Sequence, residues 1–253
     1  MCCFSLSVRS VHATNIFVRA GLGDRQTIVY SMSLDAEQEL AMVLPIPVKA
    51  GVPENDVEFV DLKEYPEFFK DLTKGFVDIP DTRASFKDDG QVPLSVKALQ
   101  VHDVGDFQAS FVPKVNDFAR LDKRFQMPAG TWEKLPQYKA YGFAVFKLKP
   151  GVKTVHPMAF SFSRADASKL FFPTVHIHDG EVHKKAEFDH VLYVQPRTNQ
   201  QLDLVGWQES ESPALNFMKT KKAKGVIAAN EHCYRKGLKG LLANADTWVK
   251  GLS

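Results

Sequence analysis

The stretch Thr174–His183 reads TVHIHDGEVH and concentrates ligand-type side chains. Asp179-Gly180 predicts a two-residue hairpin turn, because a type I′ turn needs positive φ at both central positions. With that turn at the centre, His178 faces Glu181, Ile177 faces Val182 and His176 faces His183. Directly paired residues, and residues two apart, share one side of a two-stranded ribbon. His176, His178, His183 and Glu181 are therefore expected on one face, with Val175, Ile177 and Val182 on the other. Three imidazoles and a carboxylate form a donor set for a divalent transition metal (Zn, Cu or Fe). With one coordination position open, such a site lowers the pKa of bound water or binds dioxygen. The plainer alternative is a solvated hairpin face rich in histidine.

Cys2 is the second chemical candidate. Removal of Met1 would free its amine, and an N-terminal Cys can act as a nucleophile with that amine as base. The reaction class would be amide hydrolysis. The Asn, Asp and Arg elements that accompany such a nucleophile are not recognisable downstream, and a small packing residue is the commoner role. His190 is in phase with Phe188, Leu192 and Val194, so it reads as buried and hydrogen-bonded. His156 could reach the hairpin only if their strands are neighbours. No glycine-rich phosphate loop, G-x-S-x-G, H-E-x-x-H or C-x-x-C occurs in the sequence.

Strands must position these residues. Ile28, Tyr30, Met32 and Leu34 alternate with polar or opposite-facing neighbours, and so do Leu40, Met42, Leu44, Ile46 and Val48. Period two marks half-buried strands. The short polar link 35–38 predicts that they form a hairpin. Tyr65, Phe68, Phe69, Leu72 and Phe76 recur at helical spacing, with Pro66 in the first turn and Gly75 at the stop. A surface loop is expected at 78–93, then strands at 96–101 and 107–112, and a helical stretch at 116–125. Further strands are expected at 138–149, 152–162, 170–178 and 181–195. Leu238, Leu241, Leu242, Ala245 and Trp248 predict a closing amphipathic helix.

Composition bounds the rest. The 253 residues are 44% hydrophobic and 25% charged, with a net charge of +2, which excludes disorder as the main state. Three cysteines, two adjacent, exclude a disulfide scaffold and suit a reducing compartment. No apolar run approaches the roughly 18 residues of a membrane span, and the N-terminus lacks the basic start of a secretory signal. A cytoplasmic protein with no membrane partner is expected. Residues 51–90 hold 11 acids and 5 bases, and residues 214–253 hold 8 bases and 2 acids. The basic block lacks interleaved aromatics, which disfavours a nucleic-acid partner. A metal ion or small molecule is the expected ligand.

The stretch Arg25–Val48, with Ala41, Val43, Pro45 and Pro47 at its edge, resembles the start of the uncharacterised bacterial family DUF2330. The stretches 104–121, 143–151, 156–162, 170–173 and 191–195 resemble its later strand series, so the resemblance spans about residues 12–196. It implies architecture and carries over no catalytic residue. The fold class expected is α+β, predominantly antiparallel β-sheet with a few short amphipathic helices, including a C-terminal one. One β-rich domain over 1–253 is expected, with a possible division into 1–76 and 95–253. Three functions follow: a metal-binding protein or metalloenzyme, a Cys2 amidohydrolase, and a non-catalytic binding or assembly module using the basic C-terminal region.

Overall fold

The computed structural model describes residues 2–77, 102–104, 107–179 and 181–252. The expected loop at 78–93 and strand at 96–101 lie outside the described residues. The described chain is built mostly of strands. β1 (Cys2–Phe4), β2 (Ser10–Ala20), β3 (Arg25–Ala36) and β4 (Leu40–Ile46) come first. β5 (Glu58–Asp61), helix α1 (Phe68–Thr73), β6 (His102–Val104) and β7 (Phe107–Val112) follow. Next come β8 (Gly142–Leu148), β9 (Gly151–Thr154), β10 (Met158–Ser163), β11 (Lys169–Phe172), β12 (His176–Ile177) and β13 (Lys185–Gln195). β14 (Gln208–Glu209), β15 (Tyr234–Ala243) and β16 (Thr247–Lys250) are the last.

A six-stranded sheet has the order β12-β1-β4-β8-β7-β6, and an eight-stranded sheet has the order β14-β15-β13-β2-β3-β10-β5 with β9 beside β3. β11 and β16 form a separate pair. Ile28, Tyr30, Met32 and Leu34 of β3 and Leu40, Met42, Leu44 and Ile46 of β4 enter one core between the large sheets, as their period predicts. The opposite parity is buried as well, because both outer faces are covered. Phe17, Val29, Ala159 and Tyr193 pack beneath Phe68, Phe69 and Leu72 of α1 and the segment around Met218 and Val226. Ala41, Val43, Phe143 and Val145 pack against Phe118, Phe125, Leu135 and Tyr138. The sandwich thus has four layers, with the large sheets inside.

Several expectations are corrected. The described residues are 43% strand, no helix among them reaches seven residues, and both large sheets are mixed rather than predominantly antiparallel. β1 runs parallel to β12, and β2 runs parallel to β13. These partners lie far apart in the chain, so no local pattern announces them. The expected C-terminal helix is β15 and β16. Its apolar spacing suits a helix, but Gly240 has φ +82, which a helix does not admit. Ten paired residues with β13 hold the segment extended instead. β3 and β4 do not pair with each other: β3 lies between β2 and β10, and β4 between β1 and β8. Their short link carries the chain from one sheet to the other. The helical stretch at 116–125 is two tight 3-10 turns, Val115–Arg120 and Lys123–Phe125. No described helix is long and apolar enough to cross a membrane.

Candidate functional site

The expected histidine hairpin does not form. β12 pairs in parallel with β1, setting Cys2 opposite His176 and Cys3 opposite Ile177, while residues 181–183 lie outside any strand. A parallel neighbour on one side draws 176–177 away from the partner that a tight turn would have supplied. His183 Nε2 meets Asp179 Oδ2 at 2.8 Å, and Lys134 Nζ donates to Glu181 Oε2 at 2.8 Å, all four side chains being exposed. His176 and His178 do come together, with rings stacked at 4.8 Å. Their companion is His190, not His183 or Glu181. Among the described residues, no group of three or more His, Cys, Asp or Glu is placed to hold a metal ion. The side chain of Cys2 lies outside the described residues.

His190 projects from β13 on the face of Leu192 and Val194 and is 1% exposed, the buried position its phase predicts. His176 Nε2 and His190 Nε2 share a hydrogen bond of 2.8 Å. Phe188 packs on both rings, at 4.4 and 5.1 Å. Phe4 meets His178 at 5.7 Å. Burial drives the pKa of His176 down to about 3 and that of His178 to about 4, and His190 lies well below its ordinary value for the same reason. The imidazoles are therefore neutral at neutral pH. Among the described residues, His178 Nε2 and His190 Nδ1 are buried without a hydrogen-bond partner.

A clamp from the link between β15 and β16 fixes β12. Asn244 Oδ1 accepts from His176 N at 2.7 Å, and Asn244 Nδ2 donates to His176 O at 2.9 Å and His183 O at 3.0 Å. Asp246 accepts from Thr174 N at 2.9 Å, Val175 N at 3.2 Å and the Tyr138 hydroxyl at 2.6 Å. Burial raises the pKa of Asp246.

Above the histidines the eight-stranded sheet splits. The parallel register of β2 and β13 begins at Asn15 and Val191. Both strands extend further, through 10–14 and 185–190, without pairing to each other. A β-bulge in β2 between His12 and Asn15 starts the divergence, with Ala13 at φ 53. Asp189 Oδ2 accepts from Ala13 N at 2.6 Å, bracing the lips of the split. The split opens into a cavity of about 580 Å³. Ser10, Val11 and Thr14 form one lip and Glu187, Phe188 and Asp189 the other, with His176 and His178 as floor and Lys239 and Gly240 beside them. A neutral imidazole offers one donor and one acceptor, so the floor can hydrogen-bond an entering group of either kind.

The basic C-terminal block is partly engaged. Lys219 Nζ lies 3.4 Å from Asp71 Oδ2, joining the basic and acidic blocks within the chain. His156 stacks on Phe107 at 4.4 Å. Residue-level reading missed Asn244, Asp189 and Lys239 as parts of the site. Asn244 lies 68 residues from His176 and follows no motif. A signal for Asp189 existed in its adjacency to the buried His190.

No family model matches the chain. Among solved structures it is similar to baculovirus P35, at 14% identity over 96% of this chain and 97% of that one, with a TM-score of 0.47. A mutated baculovirus P35 after caspase cleavage is similar at 15% identity, over 96% and 98% of the chains, with a TM-score of 0.47. A complex of caspase-8 with P35 contains a chain similar at 14% identity, over 95% and 96%, with a TM-score of 0.44.

Proposed function

We propose that this chain is a non-catalytic binding module that takes an extended segment of a protein partner in the split between β2 and β13. The carrying observation is that their pairing stops at Asn15 and Val191 while both strands run on as separated lips. Unpaired strand edges are satisfied by strand addition, in which main-chain hydrogen bonds supply affinity and pockets for alternate side chains supply specificity. Here the pocket is the cavity over His176 and His178. Its aromatic, uncharged floor suits a polar uncharged or aromatic side chain, and Glu187, Asp189 and Lys239 at the rim orient what enters.

Random-peptide display against the immobilised, untagged protein tests this. Selected peptides should bind wild type and bind Ser10→Trp at least about tenfold more weakly, a loss of roughly 1.4 kcal/mol. Ser10 is exposed at the lip, so the substitution blocks the cavity without entering the core. Urea unfolding confirms that the variant is folded. A protein that enriches no peptide, or peptides indifferent to Ser10→Trp, overturns the reading. Metal analysis of the same preparation addresses the rival: stoichiometric Zn, Cu or Fe, lost in His176→Ala/His178→Ala, would favour a metal site instead. Intact mass that retains Met1 would end the Cys2 hydrolase reading.

A further inference from the structure

We infer that one end of the eight-stranded sheet docks on an anionic lipid surface, with two exposed leucines entering the bilayer boundary and a lysine turn meeting the headgroups. It is the end where β2 passes into β3. Residues 21–24 link these strands, with Gly21 N donating to Arg25 O at 2.8 Å and Gly23 at φ +60 closing the turn. Leu22 at the tip is 82% exposed. Gln195, at the end of β13, is the register partner of Arg19, so the exposed Arg197 follows at the level of the link. The segment that covers the outer face is tied to the same end twice. Arg19 Nη1 donates to Gly225 O at 2.9 Å, which places the turn 221–224 here. Gln195 exchanges hydrogen bonds of 2.8 and 2.9 Å with Ala228. The next residue, Ala229, accepts at 2.8 Å from the N–H of Leu215, which is 51% exposed.

Charge and apolar exposure together select the occupant. Lys221, Lys222 and Lys224 are exposed, and among the described residues they and Arg197 form no ion pair. Asp24 and Asp56 are already paired with Lys49 and Arg25, and Glu231 accepts from Thr198 Oγ1. Ala223 and Val226 are buried in the core under α1, so the lysine turn is anchored. An acidic polypeptide would answer the lysines and leave both leucines in water. A nucleic acid would want exposed aromatic rings for stacking, and Phe217, the aromatic residue of segment 214–230, lies against Gly75 instead. An anionic bilayer answers both features: apolar side chains enter the acyl boundary while lysines stay at the charged headgroups. This contact needs no spanning segment, only a face that lies on the surface. It is independent of the split, which opens at the other end of β2.

Flotation with lipid vesicles tests this. At low salt the protein should bind phosphatidylcholine vesicles containing about 30% phosphatidylserine at least about tenfold more tightly than phosphatidylcholine alone. Physiological ionic strength should weaken that binding, as it does exposed charge contacts. Lys221→Glu/Lys222→Glu/Lys224→Glu should abolish it. Leu22→Ser/Leu215→Ser should weaken it at least about fivefold and leave its salt dependence in place. Both variants replace exposed residues, and urea unfolding confirms that they fold. Leu22→Trp should add emission that shifts to the blue with the anionic vesicles and stays unshifted with polyglutamate. Absence of binding, or equal binding to the two vesicle types, overturns the inference. So does binding indifferent to the leucine substitutions with unshifted Leu22→Trp emission, which would mark a surface for acidic polypeptides instead.

Discussion

Two neutral imidazoles can share a hydrogen bond only if one donates and the other accepts. His176 and His190 meet through Nε2 on both rings. If His190 accepts, its proton sits on Nδ1, a buried donor without a partner among the described residues. If it donates, Nδ1 is a buried acceptor in the same position. Either tautomer leaves one atom short, a penalty of about 1–3 kcal/mol when no solvent reaches it. The cluster is therefore specified by its surroundings, not by its own bonds. Titration follows the same physics. The unfolded chain takes up protons near the ordinary pKa of 6.5, whereas the folded protein protonates His178 at about 4 and His176 at about 3. The unfolded state binds more protons in between, so stability is fully present above about 6.5 and falls as pH drops toward 4, by up to roughly 1.4 kcal/mol per unit for each group. Urea unfolding at about pH 7 and about pH 5 measures the slope. His176→Asn/His178→Asn should flatten it, and an unchanged slope would assign the acid sensitivity elsewhere.

At the scale of elements, the bulge at Ala13 sets the geometry of the split. A non-glycine residue in the left-handed region costs about 1–2 kcal/mol. Ala13→Gly relieves that strain, less the added freedom of the unfolded glycine. The urea midpoint should therefore rise by an amount equivalent to about 0.5–1 kcal/mol; a fall would show that the Ala13 side chain itself supports the lip. The bulge was invisible in the sequence because His12, Ala13 and Thr14 carry no glycine or turn signature. Elsewhere, period was legible and partnership was not. The faces of β3 and β4 follow from alternation, and His190 falls inside by its phase with Leu192. The link between β3 and β4 reads equally as a hairpin or as a crossing between sheets. Asp179-Gly180 reads as a turn whether or not the following residues pair. Leu238, Leu241 and Leu242 match helical spacing, and pairing with β13 overrides it.

Across the whole molecule, the segments near both ends of the sequence meet at β12. Cys2 and Cys3 pair with His176 and Ile177 on one side, and Asn244 and Asp246 hold Thr174–His176 from the other. A two-residue strand is marginal alone, so each neighbour depends on the next. Deleting residues 244–253 should speed amide exchange at Cys3, Phe4 and Ile177 by at least about tenfold, equivalent to roughly 1.4 kcal/mol or more of lost local stability. Exchange in the centre of β3 should change far less. Equal acceleration throughout would mean that the clamp stabilises the whole sandwich rather than the seam at β12. The same seam bears on biosynthesis. A chain emerging from the ribosome N-terminus first can pair β2 with β3 early, but β1 lacks its parallel partner until residue 176 has been made. That partner lacks its clamp until residue 246 follows. β1 can pair with β4 early, yet its other edge is completed only after β12 and its clamp have been made.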